Sequence, residues 1–158
     1  MERRGNMMKN DVYKAALALT LREGLVNVSS LDESGYPETR AMFNLLKVRN
    51  DALSTGPARP EGDFATYLAT NTGSRKVPLM RKDGRVCLYY CDGQNFEGCS
   101  VRGRVGEVFD EAIRRAIWIP DWEMYYQGGI DGGDFTVLRF VPERVRYYHG
   151  LAVEEFVL

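Results

Sequence analysis

Beyond residue 25 the chain is a succession of short runs rich in β-branched and aromatic residues, each closed by a cluster of turn formers. That punctuation restricts it to antiparallel sheet architectures. Residues 25–31 (Leu-Val-Asn-Val-Ser-Ser-Leu) pass through a turn rich in Asp, Ser, Gly and Pro at 32–37 into a second run at 39–48, a hairpin pattern. Runs at 85–91 and 96–109 flank Asp92-Gly93-Gln94-Asn95, whose Asp-Gly pair is a strong hairpin signal. Further strands are predicted at 64–71, 135–141, 145–148 and 152–157, with Pro142-Glu143 read as a turn. Helices are few. One is predicted over 11–23, apolar at Val12, Ala15, Ala16, Leu19 and Leu21, with Gly24 as its C-cap. A short basic one covers 73–82, where Pro78 is tolerable only near the first turn, and another covers 110–117. Residues 49–63, with two Pro and two Gly, read as a surface loop. Many short strands with few helices predict a closed or partly closed β-barrel, because closure is how such sheets manage their edges.

Composition narrows the function. At 158 residues and 44% hydrophobic, the chain is read as one domain over 1–158, able to hide about 68–70% of its unfolded surface without staples. Its longest apolar run, 86–91, is far below the roughly 18 residues of a membrane span, and no signal sequence opens the chain; a soluble, cytoplasmic protein is expected. Twenty-one Lys and Arg meet 22 Asp and Glu, so Arg102, Arg104, Arg114 and Arg115 do not form a basic excess, and nucleic-acid binding is not expected. One histidine, His149, and three cysteines at 87, 91 and 99 cannot make a multi-histidine or four-cysteine metal site. Cys87 and Cys91 read as core thiols, and His149 as a structural strand residue. Such a thin stock of proton-shuttling groups favours a binding domain or an enzyme whose chemistry resides in a cofactor.

Two stretches carry candidate chemistry. Thr70-Asn71-Thr72-Gly73-Ser74-Arg75-Lys76 lies where a predicted strand runs into a predicted helix. Hydroxyl donors at 70, 72 and 74, a glycine permitting close backbone approach, two cations and the free amides of a helix start suit a phosphate dianion. An N-capped helix with a solvated basic face fits the same residues. In Gly35-Tyr36-Pro37-Glu38-Thr39-Arg40-Ala41-Met42-Phe43-Asn44, Arg40 stands inside a predicted strand and shares a face with Met42 and Asn44. It must reach solvent or meet an anion, and its planar fork fits phosphate in a bidentate way.

Together these stretches resemble the pyridoxamine 5'-phosphate oxidase-like FMN-binding split-barrel family, which includes the small general-stress-type flavoproteins. The resemblance rests on Gly35, Pro37, Arg40, Ala41 and Met42, then on Thr70, Ser74, Arg75 and Lys76. In order there follow Val86–Tyr90, Val101-Arg102-Gly103-Arg104-Val105, Trp118, and Gly128, Gly129 and Asp131 before the run Thr136-Val137-Leu138-Arg139-Phe140 closed by Pro142. It covers about residues 10–148. The resemblance implies a mainly β (α+β) fold, a six-stranded antiparallel split β-barrel with flanking helices, that forms a homodimer with FMN at the subunit interface. It further implies that Arg40, Ser74, Arg75 and Lys76 hold the FMN phosphate and that Ala41, Met42, Thr70 and Asn71 line the ring and ribityl chain, with Trp118 coming from the partner subunit.

The chain also departs from the true oxidases. Their C-terminal Arg-x-His pair is matched here only by Arg146-Tyr147-Tyr148-His149, with different spacing, and a flavin-contacting Gln has no counterpart near Cys99-Ser100. These departures argue against pyridoxamine phosphate as the substrate. The leading expectation is an FMN-dependent oxidoreductase acting on a small molecule, with no catalytic residue assigned. Its rivals are a non-catalytic flavin-binding stress-response protein and the same barrel holding haem or a deazaflavin. Trp122, Tyr125 and Tyr126 fit equally a flavin-stacking role and a packed interface.

Overall fold

Val26, Val28 and Ser30 leave the first strand on one side and are buried, whereas Leu25, Asn27, Ser29 and Leu31 leave it on the other and are not. The computed structural model describes residues 2–158, with side chains from residue 9 onward, and builds from strands of this kind one antiparallel sheet. Its elements in chain order are α1 (Glu2–Leu19), β1 (Leu25–Leu31), β2 (Pro37–Phe43), α2 (Leu45–Val48), α3 (Asn50–Ser54), β3 (Thr66–Asn71), α4 (Lys76–Lys82), β4 (Arg85–Asp92), β5 (Glu97–Val108), α5 (Glu111–Ile117), a 3-10 turn (Pro120–Met124), β6 (Phe135–His149) and β7 (Ala152–Val157). The strand order is β2-β1-β4-β5-β6-β3. The two halves of β6 divide its second edge: residues 135–140 pair with β3, and residues 144–149 pair with β7.

The expected six-stranded antiparallel split β-barrel does not form. The fold is a mixed α/β one whose sheet has seven strands, and the outer strands β2 and β3 share no hydrogen-bonded ladder, so the sheet is not closed. Residues read as the end of a strand (44–48) and the start of a loop (49–54) instead form α2 and α3. Asn44 causes the change: its backbone N–H donates to Gly24 O at 2.8 Å and its side-chain amide to Thr20 O at 2.7 Å and Glu23 O at 2.9 Å. These bonds bind the chain to the end of α1 and turn it out of the strand. Leu45, Leu53 and Ala58 then pack with Tyr67 and Ala69 of β3, so this edge is protected by covering rather than by closure.

Alternation along β3 and β6 produces two apolar clusters, one on each face. Leu68, Leu138 and Phe140 join Val26, Val28, Leu88, Val101 and the Ala16 and Leu19 face of α1. Tyr67, Ala69, Phe135 and Val137 face the other way, onto Leu53, Ile113, Ile117, Trp122 and Tyr126. Each fully buried Leu, Val or Phe contributes about 1.5–3 kcal/mol relative to exposure, which fixes the register of both ladders.

Local chemistry accounts for the remaining boundaries. Helix α1 ends at Leu19 rather than near Glu23, since Thr20, Leu21 and Arg22 donate to carbonyls three residues back and the Thr20 hydroxyl bonds Leu17 O at 2.7 Å. Asp110 caps α5, accepting from Ala112 N at 2.8 Å and Ile113 N at 3.2 Å. Asp92 organises the second hairpin by accepting from Gln94 N and Asn95 N, while Phe96 takes the left-handed conformation (φ 49°). The predicted break at Pro142-Glu143 is absent. Pro142 lies opposite Gly103 at a register shift in the β5–β6 ladder, where a missing N–H is tolerated, and β6 runs through.

Burial also shapes the pH response. It pushes the Cys99 thiol up from 9.0 to about 12 and the Tyr126 hydroxyl up from 10.0 to about 12, and it raises the fully buried Tyr90 further. An unfolded chain sheds these protons at the ordinary values while the folded one keeps them, so stability is intact below about pH 9 and falls as pH rises toward 12. A melting temperature that declines steadily above about pH 9 is expected; one unchanged to about pH 11 contradicts the burial of these groups.

Candidate anion site

On β2, Glu38, Arg40 and Met42 share the inward face, and Thr39, Ala41 and Phe43 the outward one. Arg40 stands opposite Val28 in the β1–β2 register and is half-buried. Its guanidinium donates to Ser30 Oγ at 2.7 Å and Val28 O at 3.3 Å, and to the Glu38 carboxylate at 3.5 Å. Burial pulls its pKa down, Glu38 pushes it up, and Arg75 pulls it down again.

Helix α4 supplies the other cations. Pro78 is its third residue, where the ring removes no intrahelical bond, so the helix forms as expected but starts at Lys76 rather than Gly73. Before it, Ser74 N donates to Asn71 O and Val77 N to Ser74 O, making a tight turn off the end of β3. Lys76 is half-buried and has no acidic partner among the described residues. Burial first, and then Arg40, lower its pKa. Arg75 is exposed and paired with Glu38 at 2.6 Å and Glu33 at 3.3 Å. The Ser74 hydroxyl is 3.4 Å from that of Thr70, which is buried on the same face of β3 as Leu68.

Arg40, Arg75 and Lys76 therefore come together at the start of α4, with Ser74 just before Arg75 in the chain and hydrogen-bonded to Thr70, and Met42 buried in the adjoining cluster. The other sequence candidates lie elsewhere. Ala41 is exposed on the outward face of β2. The Asn71 amide donates to Tyr125 O and to the Asp134 carboxylate, each at 2.7 Å, so it fastens two loops together. Trp118 packs against Phe135 (ring centroids 5.0 Å apart), Tyr126 and Trp122, in the cluster on the face of β3–β6 opposite Thr70. Trp122 and Tyr126 are buried there too, and Tyr125 is half-exposed, edge-on to Phe43.

Sequence reasoning missed Ser30, Glu38 and Glu33. Ser30 carried a signal, being a polar residue in phase with Val26 and Val28; it pairs directly with Glu38 across the hairpin. The cysteines also correct the reading. Cys87 and Cys91 do share a face, but it is the outward one and both are part-exposed, whereas Cys99 is the core thiol. His149 is exposed at the end of β6, opposite Glu97, whose buried carboxylate accepts from Tyr147 Oη at 2.6 Å and pairs with Arg22. A separate cavity of about 720 Å³ opens over Ser29, Cys87, Arg85, Arg102 and Arg144 and includes none of the α4 cations. No helix among the described residues is long and apolar enough to cross a membrane.

The open seven-stranded antiparallel sheet with its flanking helices defines a mixed α/β domain. More narrowly, the chain belongs to the pyridoxamine 5'-phosphate oxidase family, whose sequence profile matches residues 12–149. A Clostridium acetobutylicum protein related to general stress protein 26 of B. subtilis, of the pyridoxinephosphate oxidase family, is 28% identical, with 96% of this chain and 93% of that one covered and a TM-score of 0.67. General stress protein 26 from Bacillus anthracis is 14% identical over 92% of this chain and 98% of its own, with a TM-score of 0.68. A nimC/nimA family protein from C. acetobutylicum is 17% identical over 94% and 93%, with a TM-score of 0.66. No curated protein sequence matches the chain significantly.

Proposed function

We propose that this protein is an FMN-binding flavoprotein that works as a cytoplasmic homodimer of one-domain subunits, an oxidoreductase acting on a small molecule, with the FMN phosphate held by Arg40, Ser74, Arg75 and Lys76. One observation carries the reading: Arg40 and Lys76 are half-buried beside each other, and Lys76 has no acidic partner among the described residues. Two partly desolvated cations close enough to act on each other repel, and an anion between them relieves both. A phosphate monoester dianion fits, because the guanidinium fork, the ammonium and the Ser74 hydroxyl offer it charge-assisted hydrogen bonds.

FMN, when bound, would supply hydride or electron transfer. The chain's own part is to bind and orient. Arg40 is itself held by Ser30 and the Val28 carbonyl, so its fork is fixed before any ligand arrives. Met42 and Thr70 lie buried on the same side of the sheet as Arg40. Trp118 lies on the opposite face, so any contact it makes with FMN would be with the cofactor of a second subunit.

The purified protein is expected to be yellow, or to gain flavin absorption bands on incubation with FMN, and to scatter light as a dimer. A protein that stays colourless after incubation with FMN overturns the reading.

A further inference from the structure

Every cation of the site except Lys76 is already in contact with a carboxylate of its own chain. Glu38 lies between the two arginines, 2.6 Å from Arg75 Nη1 and 3.5 Å from Arg40 Nη2. Glu33, from the β1–β2 turn, reaches Arg75 Nη2 at 3.3 Å. That turn is well defined: Asp32 accepts from Ser34 N and Tyr36 N at 2.8 Å each, and Gly35 takes φ +84°. Glu33 is therefore delivered to Arg75 by the hairpin itself. Glu38 is fixed in turn by its register opposite Ser30, whose hydroxyl receives the Arg40 guanidinium.

We propose that Glu38, assisted by Glu33, occupies the phosphate positions on Arg75 and Arg40 as an internal competitor, so that an incoming phosphate monoester has to displace these carboxylates in order to bind. The inference rests on the phosphate-site reading above and adds a sign to it. If both carboxylates stayed on the arginines, a dianion beside Lys76 would face two negative groups within the same cluster, and like charges at such separations repel. Displacement is feasible because Glu33 and Arg75 are each 62% exposed and Glu38 is 32% exposed, so water reaches each released carboxylate, Glu33 more fully than Glu38. The two carboxylates thereby hold cofactor affinity below what the three cations alone would give, and they discriminate against weaker anions that cannot displace them.

The test is fluorescence titration of FMN and of riboflavin into the wild-type protein and the Glu38→Gln, Glu33→Gln and doubly substituted proteins. Glutamine keeps the shape and removes the charge, and Glu33 sits on an exposed turn, so its variant reports the sign even where Glu38→Gln folds poorly. Glu38→Gln is expected to tighten FMN binding by about three- to tenfold, Glu33→Gln by about twofold or less, and the double substitution by the most, with riboflavin unchanged throughout. FMN affinity that is unchanged or weaker in the Glu38→Gln protein overturns the inference, showing that Glu38 positions the arginines rather than competing for them, while wild-type FMN binding leaves the phosphate site standing. A wild-type protein that binds FMN no better than riboflavin overturns the phosphate-site reading, and this inference falls with it.

Discussion

Gly103→Ala is expected to destabilise the fold by about 3 kcal/mol or more, enough to leave much of the protein insoluble. A Cβ built at this position would lie 2.1 Å from Val141 O and 2.9 Å from the ring of Phe140. The first neighbour is backbone in the β5–β6 ladder, and the second is a fully buried side chain at the centre of the first cluster. Neither has room to withdraw without breaking the register shift that accommodates Pro142. Gly106→Ala, three residues along the same strand, is the control: nothing lies within 4 Å of its Cβ, and a change of about 0.5 kcal/mol or less is expected. Urea unfolding of the two variants side by side decides the matter. Equal stabilities would mean that the β5–β6 contact is looser than described.

The second large effect concerns the cofactor. Lys76→Ala and Arg40→Ala should each weaken FMN binding by about ten- to a hundredfold, the loss expected for one charge-assisted contact. The two are not equivalent. Lys76 has no other acidic partner among the described residues, so its removal leaves nothing behind unpaired. Arg40 also donates to Ser30 and Val28, so Arg40→Ala additionally frees two acceptors on β1 and should lower the melting temperature more than Lys76→Ala does. Equal FMN affinity in wild type and Lys76→Ala, measured by titration, would remove Lys76 from the site.

What was legible in the sequence was what alternation and turn chemistry encode locally. The hairpins organised by Asp32 and Asp92 and the helix that starts after Asp110 were readable, because each depends on residues a few positions apart. What was not legible depends on pairing across the sheet. Whether Cys87 and Cys91 or Val86, Leu88 and Tyr90 face the core is a choice between two phases of one alternating run, and only the packing of β4 against β1 and β5 makes it. Glu38 falls between the turn read at 32–37 and the run from 39, and only the β1–β2 register sets it between two arginines. The open sheet was hidden for a similar reason: nothing local to residues 39–48 reveals that the Asn44 side chain will be captured by Thr20 and Glu23 and so end the strand at Phe43. Pro142 misled in the opposite direction, since a proline that usually stops a strand is absorbed where Gly103 lets the ladder shift.

We propose that this chain recognises FMN through its phosphate. Titrating the wild-type protein with FMN and with riboflavin under one set of conditions tests it most directly, since the two ligands differ only in that group. FMN is expected to bind at least about ten times more tightly than riboflavin. Equal affinity for the two would contradict it.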